Sequence, residues 1–170
     1  MLTERKRMDK KRNQNRKDQQ TLKNTDSVEI RTFGHFTVLI NRVPVHFRRS
    51  KSKEILAFLI DKRGQTVSKQ VLANEVLNED RYDDRVKNRL HTDLVSLRED
   101  LENCGLRHIL YINNNEYGVI TEGFYCDYYD LLEGNRENVK DDPSNYMADY
   151  EWAESRKPFL ENKYYGERTK

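Results

Sequence analysis

Arg85, Asn88, Arg89, His91, Thr92 and Ser96 stand close together in the chain and are of the types that read nucleic-acid bases. An arginine guanidinium donates two parallel hydrogen bonds to guanine, an asparagine amide pairs in the same way with adenine, and the threonine methyl packs on thymine. They lie in a segment from about Asp84 to Asn103 that Gly105 stops. At roughly 100° per residue, Val86, Leu90, Leu94, Leu97 and Leu101 of this segment align in one apolar stripe, while Arg85, Asn88, Arg89, Thr92 and Ser96 crowd the far side. His91 lies beside that polar face. Glu99, Asp100 and Glu102 make the C-terminal half acidic, so phosphates would be met by the first half. Charge on a helix is also what a merely solvated face carries.

A second basic group, Arg48, Arg49, Lys51 and Lys53, opens an earlier apolar-periodic segment, where backbone N–H groups favour anions. These residues are expected to hold phosphates and set register, with one or two of them covering apolar neighbours instead. Catalytic chemistry has little to work with. His35, His46, His91 and His108 are isolated, and HExxH, GxSxG and GxxxxGK[ST] are all absent. The adjacent acids Asp83/Asp84 and Asp141/Asp142 fit capping or solvated loops better than a metal site. Cys104 and Cys126 show no CxxC spacing, which favours a reducing compartment. The chain is therefore expected to be no enzyme and to use no metal and no cofactor.

The elements that must position these residues are legible as patterns. VEIRTF, FTVLI and VPVHF, separated by Gly34 and by Asn41 and Arg42, predict a small antiparallel meander. Ser50 precedes KSKEILAFLIDKRG, which predicts a helix of about three turns closed by Gly64. Ile55, Leu56, Phe58, Leu59 and Ile60 cover most of its circumference, so it should be the central buried helix. Ser68 opens a shorter helix, KQVLANEVL, that ends at Asn78 to Asp80. HILYIN and YGVIT flank Asn113 to Glu116 and predict a hairpin. Sheet, three helices and terminal hairpin make the pattern of a helix-turn-helix with a wing.

A chain of 170 residues, 35% apolar and 35% charged, accommodates one domain of about 100 residues with attachments, and excludes a large multidomain enzyme. Charge is graded along it: residues 1–24 hold nine Lys/Arg against three acids, residues 25–123 fifteen of each, and residues 124–170 seven against eleven. Three regions are expected: a disordered basic tail over 1–26, a folded domain over 27–122 and a helical extension over 123–170. The tail is either a solubilising extension or a phosphate anchor through Arg5, Lys6, Arg7, Lys10, Lys11 and Arg12. In the extension, Tyr150, Trp152, Ala153, Phe159, Leu160, Tyr164 and Tyr165 suggest a helix or two that pack on the domain or form a homodimer surface. No apolar run approaches the roughly 20 residues of a membrane helix, and a soluble, cytoplasmic chain is expected.

RTFGHFTVLINRVPVHFRRSKSKEILAFLIDKRG, then NRLHTDLVSLREDLENCGL, then ILYINNNEYGV, resembles the winged-helix effector domain of the OmpR/PhoB type. More narrowly, it is similar to the variant in Streptomyces antibiotic regulatory protein (SARP) activators and related response regulators. The likeness runs from about Val28 to Thr121, and its most specific parts are Phe33, Gly34, Phe36 and Val38, the FRRSKSKEILAFLI segment and the LHTDLVSLREDL helix. YMADYEWAESRKPFLENKYY also looks like the opening of the helical domain that follows in those activators.

The resemblance implies an α+β winged helix-turn-helix that binds double-stranded DNA sequence-specifically and regulates transcription. Arg85, Asn88, Arg89, His91, Thr92 and Ser96 would face the major groove, and the wing, with Asn113, Asn114, Asn115 and Tyr117, the minor groove. Asn78, Glu79, Asp80, Arg81, Tyr82 and Asp83 correspond to the family's polymerase-contacting loop, which makes RNA polymerase a second implied partner. This chain departs from the pattern at the wing tip, which lacks a basic residue, and at Val95 and Ser96, where the family often has one. The alternative is a winged-helix protein-interaction module that has lost DNA reading.

Overall fold

The computed structural model describes residues 26–166, so the expectations for the basic tail fall outside it. The elements in chain order are β1 (Val28–Arg31), β2 (Thr37–Ile40), β3 (Val43–Pro44), α1 (Ser50–Asp61), β4 (Val67–Ser68), α2 (Lys69–Glu75), α3 (Asp84–Asn103), β5 (Leu110–Asn113), β6 (Glu116–Val119), β7 (Tyr125–Cys126), α4 (Asp127–Leu132) and α5 (Lys157–Gly166). Short 3-10 turns join the later ones.

The expected meander forms: β1 pairs antiparallel with β2, and β2 with β3. Its tight hairpin turns on Asn41 and Arg42, both at positive φ (51° and 69°), the geometry that matches the right-handed twist of paired strands. A fourth strand comes from the C-terminal segment: β7 pairs in parallel with β1, giving the order β3-β2-β1-β7. The second sheet has the order β4-β6-β5. The β5–β6 hairpin is the expected wing, with Asn113 opposite Glu116, and β4 adds Val67 opposite Tyr117. Because β4 runs directly into α2, and the Lys69 N–H donates to the Asn115 carbonyl at 3.1 Å, the wing is laced to the start of the helix-turn-helix.

α1 is the central helix, with every residue from Ile55 to Asp61 buried. It starts one residue earlier than the sequence pattern implies: Ser50 is inside the helix, Arg49 holds the extended cap position, and no side chain caps it. Acids from α3 instead hold the two residues that lead into the helix. Asp100 accepts the Arg48 backbone N–H at 3.1 Å and its Nε–H at 2.6 Å, and Asp93 accepts the Arg49 Nε–H at 2.6 Å. Ser52, fully buried, donates its hydroxyl to the Asp93 carbonyl at 2.7 Å.

The other two helices begin as read. Ser68 accepts the Val71 N–H at 3.2 Å and Asp83 the Val86 N–H at 3.0 Å. At the end of α3, Gly105 takes φ 81°, and the Leu106 and Gly105 N–H groups satisfy the carbonyls of Leu101 and Glu102.

The C-terminal segment packs on the same core rather than standing apart. Tyr128, Leu131, Val139, Tyr146, Met147, Ala153 and Leu160 are all buried in it. Burying a side chain of the size of Leu131, Val139, Met147 or Leu160 contributes about 1.5–3 kcal/mol of hydrophobic stabilisation. Polar clamps fix the register. Asp127 accepts the Thr32 N–H (2.9 Å), the Thr32 hydroxyl (2.6 Å) and the Phe33 N–H (3.3 Å), closing the end of β1. At the C-terminus of α1, Tyr146 and Arg156 donate to the buried Asp61 at 2.8 and 3.1 Å, and Tyr129 donates to the Ile60 carbonyl at 2.8 Å. Trp152 packs edge-on against Phe58 and stacks on Tyr150. No helix among the described residues is long and apolar enough to cross a membrane.

Burial raises the Asp127 pKa above 3.8 despite its N–H donors. A carboxyl whose folded pKa is raised contributes stability below its ordinary pKa that is lost as pH rises through the folded value. Compared with the non-titrating Asp127→Asn variant, the wild type should therefore lose ground as pH climbs from the ordinary aspartate range, measured by urea unfolding at stepped pH; the opposite trend would contradict the burial account. Asp100→Ala should lower the unfolding free energy by about 1–3 kcal/mol, since it removes the buried acceptor of two hydrogen bonds from Arg48. A loss below about 0.5 kcal/mol would show that the clamp does not hold α3.

Candidate nucleic-acid interface

α3 carries the candidate face, and the clamp to α1 sets which part of it looks outward. The stripe of Val86, Leu90, Leu94, Leu97 and Leu101 is buried as read. The buried arc is wider than that stripe, because the entry to α1 covers the flank bearing Asp93, Ser96 and Asp100. Ser96, expected on the groove-facing side, is only 7% exposed and is withdrawn from it. The exposed ridge runs instead through Asn88, His91 and Arg98, at positions i, i+3 and i+10 of one helix face, with Thr92 beside it and half-buried Val95 along it. The Thr92 hydroxyl donates to the Asn88 carbonyl at 3.0 Å.

Arg98 is the residue that sequence reasoning passed over, because the acids around it marked that half of the helix as repulsive. The structure changes that balance. Asp100 is buried and paired with Arg48, and Glu99 accepts a second hydrogen bond from the Arg48 guanidinium at 2.7 Å. These two acids hold the Arg48 pKa above its ordinary value. The i+7 step from His91 to Arg98 was the available signal.

The other expected cations are largely engaged within the chain. Arg85 and Arg89, at the N-terminal end of α3, both donate to Glu79, at 3.3 and 3.0 Å. Arg48 and Arg49 face the buried acids of α3, and Lys51 donates to Glu54 (2.6 Å) and to the Val76 carbonyl (2.9 Å). Lys53, half-buried, makes no ion pair among the described residues. Three of the four cations at the start of α1, Arg48, Arg49 and Lys51, thus serve to hold it against α3 and the end of α2.

At the wing, Asn113, Asn114 and Asn115 are exposed, with Asn114 at φ 54° forming the turn, while Thr66 donates to Glu116 at 2.9 Å. Tyr117, expected to contact DNA, is 9% exposed and packs inward across from Val67 and Ile112. Burial pushes its phenol pKa up, an effect the positive charge of Arg98 partly opposes.

The α2–α3 loop is bound into the same region. Glu79 clamps the two arginines, Tyr82 is half-buried under the Lys87 ammonium at 5.3 Å, and Asp83 caps α3. Asn78, Asp80 and Arg81 remain exposed. Between α2 and this loop lies a shallow cleft of about 270 Å³ whose lining includes Val71, Asn74, Glu75 and Tyr82. Among the described residues, no three His, Cys, Asp or Glu side chains group as metal ligands would.

No family model matches the chain, and no curated protein does. Among solved structures, EmbR of Mycobacterium tuberculosis, determined in complex with a low-affinity phosphopeptide, superposes with a TM-score of 0.62 at 17% identity. The match covers 85% of this chain and 44% of EmbR, so the chain spans less than half the length of that protein. At this identity the likeness shows the fold: this chain shares with EmbR a mixed α+β, winged-helix-like architecture.

Proposed function

We propose that this chain is a transcriptional regulator that binds double-stranded DNA sequence-specifically, with α3 in the major groove and the Asn113–Asn115 tip of the wing over the adjacent minor groove. The observation that carries the proposal is the exposed ridge of Asn88, His91 and Arg98 on a helix whose other side is locked into the core. Arginine and asparagine are the side chains best matched to the major-groove edges of guanine and adenine. The fold shared with EmbR, a regulator of the SARP family, supports the same reading. RNA polymerase is the proposed partner of the loop at Asn78–Asp83, whose Asp80 and Arg81 are exposed. A homodimer would use α5, where Phe159 and Tyr165 are exposed.

One observation favours the rival function of a protein-interaction module: Arg48, Arg49, Arg85 and Arg89 are each paired with an acid of the same chain. Selection of bound duplexes from a random pool, followed by titration of the winner at several salt concentrations, separates the two. The regulator should enrich a reproducible motif, and contact with about five phosphates gives a slope of log K on log salt near −4 to −5. Arg98→Ala should cost about 1–3 kcal/mol on that motif and relax preference at one base. No enrichment would favour the interaction module, and equal loss on every sequence would deny Arg98 a base-reading role.

A further inference from the structure

We infer that Glu79 is an internal substitute for a DNA phosphate, which holds Arg85 and Arg89 in the unbound chain and is exchanged for the duplex backbone on binding. The inference rests on the DNA-binding function proposed above. Its geometry is specific. The loop returns Glu79 to α2 through its own N–H, donated to the Ala73 carbonyl at 3.1 Å, directly after Asn78 at φ 54°. The carboxylate then meets two guanidiniums one helical turn apart: Arg85 Nη2 lies 3.3 Å from both of its oxygens, and Arg89 Nη1 lies 3.0 Å from Oε1.

A carboxylate and a phosphate present similar pairs of oxygens to a guanidinium, so one can replace the other. The exchange is feasible because the arginine side chains stay open to solvent, 70% and 41% exposed, while the carboxylate is 21% exposed. Exposed ion pairs of this kind are weak and give way to a stronger anion. A duplex must therefore displace Glu79 before it gains both arginines, so Glu79 weakens binding to every duplex that brings a phosphate to this flank of α3, whatever its base sequence. His91 and Arg98 make no ion pair among the described residues and, with Asn88, are left by this exchange to select sequence.

The test compares wild type, Glu79→Gln, Glu79→Gln combined with Arg85→Gln and Arg89→Gln, and Glu151→Gln, which removes the same charge from an exposed acid of the C-terminal segment. Each full-length protein is titrated with the selected duplex and with a scrambled one. Glu79→Gln should bind both about three- to ten-fold more tightly with the preferred motif unchanged. The gain should vanish in the triple variant and be smaller in Glu151→Gln. Glu79→Ala, which leaves no carboxylate or amide, should show the same gain and repeats the test on a second substitution. Selective binding by wild type with no gain in either Glu79 variant overturns the inference alone, as does an equal gain in Glu151→Gln. Failure of wild type and both Glu79 variants to retain any duplex overturns the DNA-binding function together with it.

Discussion

Asp93 and Asp100 reach from α3 to the two arginines that precede α1, and the placement of every candidate contact depends on this pairing. A carboxylate taken from water is costly unless hydrogen-bonded and paired. Asp100 meets that demand with the backbone and side chain of Arg48, and Asp93 does so through one oxygen with Arg49, while its second oxygen has no hydrogen-bond donor. Hydrophobic attraction is non-directional and by itself fixes the rotation of α3 about its axis less sharply than a directional bond does. The two fixed carboxylates remove that freedom. They turn the flank with Ser96 inward and leave Asn88, His91 and Arg98 facing out.

α1 is held at both ends, and the second hold comes from the C-terminal segment. Asp61 closes α1, a position where the helix dipole disfavours an acid. Tyr146 and Arg156 compensate for it, and Tyr129 satisfies the neighbouring Ile60 carbonyl. With β7 completing the first sheet through Asp127, residues beyond the wing become part of the frame that fixes α1, and α1 in turn fixes α3. The candidate interface is thus braced from behind, with the wing tip and the α2–α3 loop at its edges.

Much of this was legible in the sequence where the determinants are local. Ser68 as a cap, Gly105 as a stop, the Asn-rich hairpin and the limits of α3 each depend on neighbours a few residues apart. What was not legible depends on distant partners. The Arg48–Asp100 and Arg49–Asp93 pairs join residues 52 and 44 positions apart, and no periodicity encodes them. Helical angles place Ser96 opposite the leucine stripe, but they carry no record of the polar flank that α1 covers. Tyr117 was misplaced because alternation in a four-residue strand does not say which face of the wing packs on the core, and β4, which pairs beside it, is only two residues long. Arg98 was obscured by Glu99 and Asp100, whose charges are spoken for by Arg48.

The most direct test of this account is residue-by-residue NMR mapping of the full-length chain against its selected duplex. The ridge presented by the α1–α3 clamp predicts the largest shift changes at Asn88, His91, Arg98 and Asn113–Asn115, with α4 and α5 unmoved. Changes concentrated in the cleft between α2 and the Asn78–Asp83 loop, or in the C-terminal segment, with α3 silent, would contradict it.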